Sequence, residues 1–176
     1  MKIYGFAVLL LLSLLLSNFL NLVRLDFSTE ASVIPRALDI PQIRMPLYGR
    51  AGDLILPNRP VMIVFFGSWC KPCRLELSIL AKLAKRKDIP FVGIAVRDTA
   101  QQLDGLFQKI ENPFDAIALD DKAEWTKSLN AWRVPSLFLT DGKGTTAYEI
   151  GGVLTEEFYL QTLLPLIREL QNEIRP

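Results

Sequence analysis

Two unbroken apolar runs, VMIVFFG (61–67) and PFVGIAV (90–96), bracket a stretch of different rhythm. Runs of this kind suit strands covered on both faces. Between them, KPCRLELSILAKLAKRK switches to helical spacing, with Leu77, Leu80, Leu83 and Ala84 on one face. TAQQLDGLFQKI (99–110) predicts a second helix, capped by Asp98 or Thr99. FDAIALD (114–120) and AEWTKSL (123–129) predict a short strand and a short helix. PSLFLTDGKGTTAYEIGG predicts a hairpin turned at Asp141-Gly142-Lys143-Gly144. Thr155 is placed to cap a last helix, with Glu156 and Glu157 in its first turn and Phe158, Leu160, Leu163, Leu164 and Ile167 beyond. Right-handed crossovers and a final hairpin give an α/β fold, a mixed central sheet flanked by helices.

The amino terminus has another pattern. Residues 3–23 carry no charge and would span about 31 Å as a helix, enough to cross a bilayer. Lys2 precedes them, and Arg24 and Asp26 follow. The positive-inside bias then leaves the remainder outside the cytoplasm. A cleavable signal peptide is the rival, but the apolar core is long and Thr29-Glu30-Ala31 makes a poor cleavage site. The expected organisation is an anchor over 1–24, a tether over 25–44 and one domain over 45–176. Prolines at 35, 41, 46, 57 and 60 break any long helix before residue 61. IRMPLYG and DLILP are candidates for edge strands.

Composition narrows the chemistry. Lys and Arg number 20 against 19 Asp and Glu, so nothing calls for nucleic acid as a partner. The chain has no histidine, which removes the commonest general base and metal ligand. Its two cysteines are Cys70 and Cys73. Two thiolates alone do not complete a tetrahedral zinc site. Covalent haem attachment needs C-x-x-C-H, and Arg74 follows Cys73. A structural bridge over so short a gap constrains little of the unfolded chain. A redox pair fits best, with no cofactor or metal beyond the Cys70–Cys73 disulfide.

The position of the pair agrees. Cys70 falls where a strand ends and a helix begins, where unpaired amides favour a thiolate. Lys71 adds positive charge, and Pro72 suits the first helical turn. Cys73 should be more covered. Cys70 is then the attacking sulfur and Cys73 the resolving one. Trp69 is either an apolar contact surface across the site or part of the core.

FFGSWCKPCRLE resembles the active site of thioredoxin-fold proteins. WRVPSLFLTDGKGTTAYEIGGVL is similar to the segment around the cis-proline of membrane-anchored thiol:disulfide interchange proteins, the CcmG/DsbE family and its TlpA/ResA relatives. FVGIAVRDTAQQLDGLF with ENPFDAIALDD resembles that family's central insertion. The likeness runs from about Met45 to Leu170. It implies a thioredoxin-like fold and a cis-proline at Pro135, leaving the Val134 backbone open to an extended substrate. It also implies a role for Glu76, on the same helical face as Cys73, in disfavouring a thiolate there and relaying its proton. The alternatives are an ordinary trans proline and a solvated glutamate. Val64 replaces a buried aspartate of ordinary thioredoxins, Ser136 an acidic residue usual in the family, and Lys71-Pro72 a common Pro-Thr.

The function so implied is a thiol-disulfide oxidoreductase that reduces apocytochrome c or its delivery chaperone. It would be recharged by a transmembrane electron donor, on the periplasmic side of the inner membrane or in an equivalent space, with residues 3–23 in the bilayer. The rivals are a general envelope oxidant or isomerase, and a non-catalytic tethered binding module. The basic run Lys82, Lys85, Arg86, Lys87 reads as a solvated face.

Overall fold

The computed structural model describes residues 31–36, 44–131, 133–141, 147–152 and 154–173. The strand β1 (Ser32–Arg36) is followed by β2 (Val61–Phe66), α1 (Lys71–Ala84), β3 (Phe91–Val96) and α2 (Ala100–Phe107). Then come β4 (Ala116–Asp120), α3 (Glu124–Ser128), β5 (Ser136–Thr140) and β6 (Ala147–Gly151). The chain closes with α4 (Glu156–Phe158), a π-helical turn (Tyr159–Leu163) and α5 (Leu164–Glu173).

Every residue of β2 and β3 is buried, as their apolar runs predict. They pair in parallel, and β4 joins β3 the same way. On the other side β5 runs antiparallel to β2, and β6 antiparallel to β5. The six strands lie in the order β1-β6-β5-β2-β3-β4, which is the expected mixed sheet. Alternation along β2 feeds two cores. Met62, Val64 and Phe66 meet Leu77, Leu80 and Leu83 of α1, Leu103 of α2 and Ile167 of α5 on one face. Val61, Ile63 and Phe65 meet Trp125 and Leu129, in and after α3, on the other.

Thr99 caps α2 through a capping box with Gln102, and Thr155 accepts from the Phe158 amide. The expected residue Leu160 is partly exposed, while Leu163, Leu164 and Ile167 are buried. α3 starts from Ala123, in the left-handed region and with no side chain able to cap. Asp120 performs that task, accepting from the amides of Glu124, Trp125 and Thr126 and from the Thr126 hydroxyl.

One strand was hidden in the sequence. SVIPR (32–36) lies in the stretch assigned to the tether, yet it pairs with β6 from Ser32↔Gly151 to Arg36↔Ala147. Pro35 lacks an amide hydrogen, which an edge strand tolerates. IRMPLYG and DLILP instead form only isolated bridges, Pro46↔Asp53 and Leu47↔Ala118. The segment 3–23 and the turn residues 142–144 lie outside the described residues. Among the described residues no helix is long and apolar enough to cross a membrane.

Candidate active site

β2 delivers the chain to the loop Gly67–Trp69, and Cys70 is the N-cap of α1 in extended backbone conformation. Its Sγ accepts from the Cys73 amide at 3.2 Å. A capping oxygen ordinarily holds that place, so α1 offers a polarised N–H to the sulfur. Cys70 and Cys73 form a disulfide with Cα atoms 5.3 Å apart. Cys70 is 5% exposed and Cys73 1%, the expected asymmetry. Lys71 and Pro72 are exposed in the first turn of α1.

The segment before β5 closes the other side. The Val134–Pro135 peptide bond is cis, and the Val134 carbonyl oxygen lies 3.6 Å from Cys70 Sγ. Val134 and Pro135 are half-buried. Ser136 donates its hydroxyl hydrogen to the Arg133 carbonyl.

Trp69 is 52% exposed, so it is a surface of the site and not core. It is nevertheless fixed. Its Nε1–H donates to the Val96 carbonyl at 3.0 Å, and a Cβ added at Gly67 would lie 2.6 Å from the indole. Only a residue without a side chain fits beneath the ring.

Glu76 is buried, which removes the solvated reading. The Leu154 amide donates to it, but Oε2 has no hydrogen-bond partner. Burial raises its pKa from 4.5 to about 7, and the Leu154 hydrogen bond opposes the rise. Val64 is buried in β2 between Gly93 and Leu137.

Sequence reasoning missed a second buried carboxylate. Asp98, considered above only as a helix cap, accepts from the Ser68 amide at 2.5 Å and the Ser68 hydroxyl at 2.7 Å. Arg74 donates to the Ser68 carbonyl through Nε at 3.0 Å and Nη2 at 2.8 Å. Both ends of Ser68 are thus tied, two residues before Cys70. The available signal was an aspartate two residues past the end of a wholly buried strand.

Among the described residues no three His, Cys, Asp or Glu side chains gather to hold a metal. In the basic run, Lys85 pairs with Glu111 at 2.8 Å and Arg86 with Asp88 at 2.7 Å. All four of its residues are exposed, as expected for a solvated face.

The comparisons agree with this geometry. The Redoxin family matches residues 51–162. The thiol:disulfide interchange protein DsbE of Haemophilus influenzae is 27% identical over 121 residues, 69% of this chain and 66% of that protein, just under two thirds of its length. The thiol:disulfide interchange protein HelX of Rhodobacter capsulatus is 30% identical over 145 residues, 78% of this chain and 82% of that protein. In fold, the chain is similar to the crystal structure of a putative thiol:disulfide interchange protein DsbE from Chlorobium tepidum. The TM-score is 0.62 at 17% identity, covering 74% of this chain and 95% of that one. A thioredoxin-like sheet, a Cys70–Cys73 disulfide at a helix N-terminus and these relatives agree: the chain belongs to the Redoxin family, as a thiol:disulfide interchange protein of the DsbE/CcmG type.

Proposed function

We propose that Cys70 and Cys73 reduce a disulfide in apocytochrome c, or in the chaperone that delivers it, ahead of haem attachment. The observation that carries the exchange chemistry is the Cys70 sulfur at the N-cap of α1, receiving the Cys73 amide.

In the reduced chain the Cys70 thiolate attacks one sulfur of the substrate disulfide. That S–S bond breaks, a Cys70–substrate disulfide forms, and the second substrate sulfur leaves as a thiolate. Cys73 then loses its proton and attacks Cys70 Sγ. The mixed disulfide breaks, the Cys70–Cys73 bond forms, and the first substrate sulfur leaves. Two electrons pass from the dithiol to the substrate. Glu76 receives the Cys73 proton, a role that its buried unpartnered oxygen supports. Lys71 favours the Cys70 thiolate. Trp69 supplies an apolar contact beside the reacting sulfurs. The Val134 backbone pairs with an extended substrate segment next to Cys70. A transmembrane electron donor restores the dithiol, and residues 3–23 anchor the chain with its domain in the periplasm or an equivalent space.

Trapping tests this. With Cys73→Ala the mixed disulfide cannot resolve, so substrates remain attached to Cys70. Recovery of apocytochrome c or its chaperone is expected. A broad set of envelope proteins would overturn the substrate assignment, and no adduct at all would overturn the exchange itself. The Cys73 amide on the Cys70 sulfur also favours a rival, a general oxidant, because stabilising the thiolate raises the potential. A potential near about −120 mV, that of a strong periplasmic oxidant, would select that rival.

A further inference from the structure

The groove beside the cysteine loop offers a site that the exchange chemistry does not use. It lies between the start of α1 and the outer face of α2, with a volume of about 300 Å³, at the lower end of ligand-binding pockets. Ser68 and Arg74 form one wall, and Gly105, Leu106, Lys109 and Ile110 the other. Ser68 places its end two residues from Cys70, so whatever lies in it adjoins the reacting sulfur.

The lining is apolar at its base and cationic at its rim. Leu106 is buried and Ile110 half-buried, while Arg74 and Lys109 are exposed. No carboxylate lines it. The nearby acids are already occupied: Asp98 is buried behind Ser68, and Glu111 pairs with Lys85. Arg74 keeps Nη1 clear of its two bonds to Ser68, and Lys109 has no carboxylate partner among the described residues. A Cβ at Gly105 would meet nothing within 4 Å, so there is open space beside this lining residue.

Resting on the exchange reading above, we infer that this groove binds the acidic segment flanking the reacting cysteine of a protein substrate, apolar side chains on Leu106 and Ile110 and carboxylates at Arg74 and Lys109. Opposite charge at a rim raises the rate of encounter and sets the register of the bound segment.

The test uses the pre-reduced full chain and two disulfide-closed peptides of one sequence, flanked either by two glutamates or by two glutamines. The wild type is expected to reduce the glutamate peptide about five-fold faster at low salt, an advantage that shrinks as salt rises. Gly105→Phe, which fills open space, should bring the ratio near one, and Lys109→Glu should bring it to one or below. Lys82→Glu makes the same charge change elsewhere on the surface and should retain the ratio. A wild-type ratio near one overturns the groove. So does a ratio unchanged in both groove variants, or one lowered equally by Lys82→Glu, which would reduce the effect to net charge. Hydroxyethyl disulfide, small and uncharged, separates the two levels. If the wild type fails to reduce it, the exchange reading itself is overturned. If the wild type reduces it but shows no peptide preference, only the groove is.

Discussion

Two buried carboxylates flank the cysteine loop, and they are in opposite situations. Asp98 is 2% exposed and takes two hydrogen bonds from Ser68. Glu76 is 6% exposed, takes one from Leu154 and leaves Oε2 with nothing. Similar burial therefore gives different consequences. Asp98 holds the loop in place. Glu76 carries a charge that its surroundings oppose, so it retains a proton to near neutral pH. Burial alone does not mark a reactive group; the missing partner does.

The largest expected effect comes from removing the satisfied partner. Asp98→Ala leaves the Ser68 amide and hydroxyl without their acceptor and should cost about 2–4 kcal/mol. Glu76→Leu removes an unpaired oxygen but also the acceptor of the Leu154 amide, so the two effects offset and stability should change by no more than about 1 kcal/mol. Urea unfolding of the disulfide form measures both. Equal losses in the two variants would erase the contrast.

The pH dependence sharpens it. Glu76 titrates near 4.5 in the unfolded chain and about 7 in the folded one, so the folded state binds more protons between those values. Its contribution is present below pH 4.5 and lost as pH rises through 7, roughly 3 kcal/mol in all. Comparing unfolding at pH 5 and pH 8 in wild type and Glu76→Gln isolates it, because the amide does not titrate. A wild-type slope identical to that of Glu76→Gln would place the Glu76 carboxyl at its ordinary value.

The smallest effect concerns half of the Asp98 arrangement. Ser68→Ala removes the hydroxyl donor and keeps the amide, so it should cost about 1 kcal/mol, well short of Asp98→Ala. A loss as large as that of Asp98→Ala would mean that the amide bond contributes nothing.

The central fold was legible because its signals are local. β2 and β3 are continuous apolar runs, α1 repeats Leu77, Leu80 and Leu83, and the W-C-x-x-C loop joins them. Helix caps were also readable, although Thr99 and not Asp98 caps α2. What escaped depends on distant pairing. β1 is a short, half-exposed strand containing a proline, and only β6, more than a hundred residues later, makes it a strand. Asp98 is separated from Ser68 by 30 residues, so no window along the chain connects them. The hydrogen bond that Glu76 accepts comes from Leu154, which arrives after β6. Its residue type was visible in the sequence; its solvent was not.

The strand order has a mechanical consequence. β2, which carries the cysteine loop, lies inside the sheet between β5 and β3, whereas β1 and β4 form the rims. Local opening begins where few neighbours hold a strand, and interior strands exchange their amides last. Fraying at either rim therefore leaves the sulfurs seated on their mount, and the redox centre stays assembled through motions that loosen the periphery.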